Sequence, residues 1–148
     1  MQIYIDQSGK VEYTRQDTVL AYSNGERKSI FIAAQEKREV QHVFREAGKP
    51  GVFAFKTFAI LIYLLVREDL SHIDAIRIDN EYIGNEWLIK QFLLETMKRH
   101  GIVFDKRAIE FWHVGKKHKA HIRALSVFQE KFPPDIVVTS REILPFII

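Results

Sequence analysis

Apart from Lys56 and Thr57, every residue from Val52 to Val66 is aliphatic, aromatic or alanine. A helix that is apolar on nearly all sides has to be covered on both flanks or lie on the face of a sheet. Fifteen helical residues span about 22 Å, short of the ~30 Å needed to cross a bilayer. The segment therefore reads as a buried helix, and the rest of the chain must supply layers to cover it. With 148 residues, 47% hydrophobic and 28% charged, the chain can do so as one domain over residues 1–148. No Pro/Gly-rich linker, repeat or low-complexity stretch divides it. Cysteine is absent, which excludes disulfides and zinc–thiolate sites. A cytoplasmic protein without a membrane span is expected.

The segments around this helix alternate in type. Met1–Ile5 reads as a strand that stops at Asp6, and Gln7-Ser8-Gly9-Lys10 as a turn with Gly9 at positive φ. Val11–Thr14 has strand character again, followed by strands at Thr18–Tyr22 and Lys28–Ala33 around the hairpin signal Ser23-Asn24-Gly25-Glu26. Gln35–Ala47 is helix-compatible, with Val40, Val43 and Phe44 at helical spacing, and Gly48-Lys49-Pro50-Gly51 breaks it. After the apolar helix come a strand at Ala75–Asp79, an amphipathic helix at Trp87–His100 closed by Gly101, and a strand at Ala108–Val114. A helix at Lys117–Phe132 is stopped by Pro133-Pro134. Ile136–Thr139 forms a last short strand, and Ser140–Ile148 is an apolar tail that packs on the body or on a second copy of the chain. Three antiparallel strands followed by strands alternating with helices predict an α/β mixed sheet with helices on both faces.

Two of these strands end on aspartate, as Tyr4-Ile5-Asp6 and Arg77-Ile78-Asp79. Neighbouring strand ends can bring two such carboxylates together, and carboxylate oxygens are hard ligands suited to Mg²⁺ or Mn²⁺. An ion of that kind clamps a phosphate and activates water. Taken singly, a strand-end Asp more often caps a turn.

In this order of elements the pair resembles the ribonuclease H-like superfamily, which includes resolvases and transposases. Ile5-Asp6-Gln7-Ser8-Gly9 is similar to the family's first strand and turn. Asp79-Asn80-Glu81-Tyr82-Ile83-Gly84 is similar to its Asp-Ser-x-Tyr-x-x-Gly, with the glycine one place early. Phe111-Trp112-His113-Val114-Gly115-Lys116-Lys117-His118-Lys119-Ala120-His121 is similar to its fifth strand, basic His-containing loop and last helix. The resemblance covers residues 1 to about 130. It implies a ribonuclease H-like mixed sheet and a Mg²⁺- or Mn²⁺-dependent nuclease, with metal ligands at Asp6, Asp79 and His121. Two positions depart from the family pattern: Lys56 falls where a Glu is usual, and His121 where the last helix usually carries an acid. Lys56 can replace a cation and hold a phosphate oxygen, snorkel from its helix, or pair with a strand-end Asp. His121 can be a ligand, a general base or a surface residue.

Lys116, Lys117, Lys119 and Arg123 form a basic cluster beside the expected site, suited to nucleic-acid phosphates, on a chain of net charge +3. Glu81 and Glu86 are candidates for the missing carboxylate or are caps; Glu110 and Asp105 have less support, and His118 is an alternative to His121. Tyr82, Trp87 and Trp112 can stack on bases or fill the core. There is no phosphate loop, dinucleotide fingerprint or Gly-x-Ser-x-Gly elbow, and His118 with His121 is a weak zinc spacing. Two functions follow: a nuclease acting on RNA of an RNA–DNA hybrid or on structured DNA, or a catalytically inactive module of the same fold that binds nucleic acid or protein.

Overall fold

In a computed structural model, which describes residues 1–24, 27–116 and 118–147, Ile3 and Ile5 alternate with more polar neighbours along the first strand, β1 (Gln2–Ser8). Both isoleucines are fully buried on one face. β1 pairs antiparallel with β2 (Thr18–Ser23), and β2 antiparallel with β3 (Arg27–Ile32). β4 (Ala75–Asp79) runs parallel beside β1, β5 (Ile109–Trp112) parallel beside β4, and β6 (Ile136–Val138) parallel beside β3. The order across the sheet is β5-β4-β1-β2-β3-β6. Of the hairpin expected at Ser23–Glu26, Gly25 and Glu26 lie outside the described residues, as does Lys117.

Helices cover both faces. α1 (Ala34–Glu46), α2 (Phe53–Val66) and α3 (Glu86–Arg99) bury Ile3, Ile5, Ile76 and Ile78 in one large core. In α2, Phe53 and every residue from Thr57 to Val66 are buried, as its all-round apolar sequence requires. α4 (Lys119–Phe128) lies on the opposite face, where Ala124 and Val127 meet Val19 and Ala21. α5 (Ser140–Ile143) packs beside α1, and Ser140 donates its hydroxyl to Glu39 at 2.5 Å. The molecule is thus an α/β domain with three antiparallel strands and then parallel ones, consistent with the ribonuclease H-like arrangement. Among the described residues no helix is long and apolar enough to cross a membrane.

Three expectations need correction. β1 runs on through Gln7 and Ser8, so the turn begins only at Gly9, whose φ is +72°. Val11–Thr14 is not a strand but a series of turns. The reason is Lys37, fully buried in α1, whose ammonium donates to Lys10 O (3.2 Å), Tyr13 O (2.9 Å) and Thr18 Oγ1 (2.9 Å). Those carbonyls bond to a lysine instead of a neighbouring strand, so no ladder forms. Finally, α4 ends at Phe128, four residues earlier than the prolines suggest, because Glu130 takes a left-handed φ of +61°.

The apolar tail continues past α5 as a single turn, Leu144–Phe146, in which Phe146 stacks against Tyr63 and His100 at 5.9 and 5.2 Å. Its apolar side chains are used on the chain's own body.

Replacing Lys37 by Met removes three hydrogen bonds: Lys10 O and Tyr13 O keep the turn amides of Tyr13 and Gln16, and the buried Thr18 hydroxyl loses its donor. Each lost hydrogen bond contributes roughly 1 kcal/mol. We expect Lys37→Met to lower stability by about 3 kcal/mol, read as a fall of about 6–12 °C in thermal midpoint.

Candidate metal centre

The parallel register of β1 and β4 sets Ile5 level with Ile78, so the next residues, Asp6 and Asp79, sit side by side at the strand ends. Alternation turns both away from the isoleucine core and toward the α4 side. Asp6 is only 2% exposed. Its Oδ1 accepts from Gln7 N at 2.8 Å, and its Oδ2 lies 2.7 Å from His121 Nδ1 on α4. Asp79 Oδ1 accepts from Val114 N at 2.8 Å, which ties the loop after β5 to the end of β4.

Directly after Asp79 the chain curls back, with Glu81 N donating to Asp79 O at 3.1 Å. The curl delivers a third carboxylate. Asp6, Asp79 and Glu81 each offer an oxygen, and all three lie within 4.8 Å of one another. Lys10, on the loop after β1, donates to Glu81 O at 3.2 Å, stands 3.8 Å from Glu81 Oε2, and lies over the Tyr82 ring at 5.6 Å.

Packing three acids together has an electrostatic cost. Burial, then repulsion from Asp79, pushes the Asp6 carboxyl up to about 6, against the hydrogen bonds from His121 and Gln7. Burial, then a hydrogen bond to Asp79 and repulsion from Asp79 and Asp6, pushes Glu81 up to about 7, with Lys10 opposing. The cluster therefore holds protons near neutrality that a divalent cation can displace. Three hard oxygen donors suit Mg²⁺ or Mn²⁺ and would hold it from Asp6, Asp79 and Glu81.

His121 stands against Asp6, not among the three ligand oxygens. Donation from Nδ1 to the carboxylate leaves the lone pair of the neutral ring on Nε2. A histidine held in this way orients its acid and keeps a second nitrogen for proton transfer.

Lys56 is elsewhere. Phe55 and Phe58 of the same turn of α2 face Tyr82 at 5.7 and 5.1 Å, and Lys56 is turned from them toward α3 and the C-terminal turn. Its ammonium lies 5.5 Å from the Phe92 ring and 3.5 Å from Ile147 O, and burial followed by the nearby Arg99 lowers its pKa.

Of the basic cluster, Lys116 and Lys119 are exposed. Arg123 follows Lys119 by four residues, on the same side of α4. Its guanidinium is paired with Asp135 at 3.7 Å and stacked on Phe132 at 5.1 Å. Glu86 accepts from Gly84 N at 2.6 Å at the start of α3, and Asp105 caps a short turn by accepting from Arg107 N. His118 caps α4, its Nδ1 accepting from Ala120 N at 3.1 Å, with burial and then Lys119 keeping the ring's pKa low. Tyr82 is core, donating to Glu12 at 3.0 Å, whereas Trp87 and Trp112 are exposed.

The site defines an α/β domain with a strand-end carboxylate centre. Comparison with family models, with curated proteins and with solved structures finds no match.

The raised acids make stability depend on pH. Their unfolded values lie near 4 and their folded values at about 6 and 7. Between about pH 4 and 7 the folded chain keeps protons that the unfolded chain has lost, so the favourable contribution is complete below pH 4 and disappears as pH rises to 7. In chelator, the thermal midpoint of Glu81→Gln should exceed that of the native chain at pH 8 by about 2–4 °C, for a gain on the order of 1 kcal/mol. The difference should vanish near pH 4.

Proposed function

We propose that this chain is a divalent-metal-dependent nuclease of ribonuclease H-like type, hydrolysing phosphodiester bonds in RNA of an RNA–DNA hybrid or in structured DNA. The observation that carries the reading is the convergence of Asp6, Asp79 and Glu81 from adjacent strand ends, with His121 against Asp6. A Mg²⁺ or Mn²⁺ ion bound there supplies neutralisation of phosphate charge and a more acidic water. Asp6, Asp79 and Glu81 hold that charge in place, and the hydrogen bonds from Gln7 N and Val114 N fix two of the carboxylates. His121, anchored through Nδ1, accepts or returns a proton at Nε2. Water adds to phosphorus and the bond to the 3′ oxygen breaks, leaving a 3′-hydroxyl and a 5′-phosphate, as the resemblance implies. Lys116 and Lys119 contribute charge toward the backbone.

A nucleic-acid partner belongs to this reading, as does a cytoplasmic setting, which the lack of cysteine favours. A homodimer would use a surface other than the C-terminal tail.

One observation favours the second reading, a catalytically inactive binding module. The acids already have internal partners: both oxygens of Asp6 are hydrogen-bonded, Asp79 Oδ1 accepts from Val114 N, and Lys10 stands at Glu81.

Assays on hybrid, branched and single-stranded substrates with Mn²⁺ separate the two. The nuclease reading expects cleavage that falls to background in Asp6→Asn and Asp79→Asn. It expects a loss of about 10–100-fold in His121→Ala, the range for a residue that orients a ligand, and native activity in Lys56→Ala. Binding without cleavage by the native chain supports the inactive module. Cleavage that survives Asp6→Asn contradicts the proposed centre.

A further inference from the structure

We propose that Trp112, backed by Arg77 and Tyr4, is a stacking shelf for an unpaired nucleobase next to the carboxylates. The strand taken there is then single-stranded or locally unpaired. The inference rests on the nucleic-acid reading above and specifies the substrate for it.

The shelf follows from register. Tyr4 is level with Arg77, Arg77 with Glu110, and Asp79 with Trp112. Residues level on adjacent strands point to the same face, so all five share the face of Asp6, opposite the isoleucine core. α4 covers that face over β1, β2 and β3. Toward β4 and β5 the face carries Glu110 and Trp112, both exposed.

Trp112 is held firmly. The Arg77 guanidinium lies 4.3 Å from the ring centroid, and the Arg77 side chain is only 19% exposed, so it sits beneath the indole. Tyr4 meets the ring edge-on at 5.9 Å, and Nε1 donates to Glu110 at 3.1 Å. Tyr4 continues the aromatic surface to His118 at 4.6 Å, where Lys119 begins α4. With these neighbours in place, Trp112 is still 43% exposed. A tryptophan fixed underneath and along its edges, and open outward, can accept a flat partner with little loss of rotamer freedom.

The position selects the ligand. Tyr4 precedes Asp6, and Arg77 precedes Asp79, by one pleat, about 7 Å along the strands. A base stacked on Trp112 therefore puts its own phosphate within reach of the carboxylates. The exposed cations Lys116 and Lys119 suit a phosphate backbone. In a duplex both faces of each base are already stacked, so the indole can take only a base that has left the helix or was never in one.

The test uses Trp87→Phe, which leaves Trp112 as the sole tryptophan of a chain that has two. Fluorescence is titrated in chelator with a short oligothymidylate, an abasic strand of the same length, and a duplex. We expect quenching by oligothymidylate, with affinity roughly tenfold or more above that for the abasic strand. Tested by anisotropy, Trp112→Ala should abolish this difference and Trp112→Tyr keep part of it, at unchanged thermal midpoints. Equal binding of normal and abasic strands, or preference for the duplex, overturns the shelf. So does quenching by an apolar peptide with none by the oligonucleotide. Because no metal is present, base-dependent binding stands even if Mn²⁺-dependent cleavage is never found, which would sink only the catalytic reading. Cleavage undiminished by Trp112→Ala sinks only the shelf.

Discussion

Ile5 and Ile78 lie level in parallel strands and point into the same core. The residue after each must then face the other way, and on both strands it is an aspartate. Nothing local recommends this pairing. Asp6 is nearly dry, and Asp79 beside it raises its pKa further. The juxtaposition persists because it is enforced by the sheet: moving Asp6 away from Asp79 would require a shift of register, and a one-residue slip would turn Ile3 and Ile5 out of the core. The hydrophobic pattern of the strands thus holds together groups that would otherwise separate.

The surroundings of the pair reduce that cost without removing it. Backbone amides of Gln7 and Val114 each donate to one carboxylate, and His121 reaches Asp6 from α4 across the sheet face. The upward pull on the Asp6 and Glu81 carboxyls is the remaining sign of the strain. A cation bound there would convert the repulsion among the acids into a binding energy for itself. On this account α4 has two tasks. Its apolar side, through Ala124 and Val127, closes the small second core, and its first turns carry His121 to Asp6.

Much of this was legible in the sequence, for identifiable reasons. The strands ending in Asp6 and Asp79 announce themselves by aliphatic alternation, and the all-round apolar stretch of α2 demands a sheet to lie on. What was hidden depends on phase and on distant partners. The resemblance puts Lys56 at the position of a site acid, but which way a helical residue faces is settled by packing, and Phe55 and Phe58 take the inward direction. Val11–Thr14 looks like a strand until Lys37 and Arg38, more than twenty residues away, claim the carbonyls of Tyr13 and Thr14. Glu81 was in view only as one of several acids after β4, because its arrival over Asp79 depends on a tight turn with no strong residue signature. Lys10 gave no signal beyond following Gly9.

The proposed centre is a single cation site made by these three carboxylates. Calorimetric titration of the metal-free chain with Mn²⁺, run at pH 7 in two buffers of different ionisation enthalpy, tests it most directly. One Mn²⁺ per chain with net release of protons is expected, and loss of both in Asp79→Asn. No binding at millimolar Mn²⁺, or binding that is indifferent to Asp79, would contradict it.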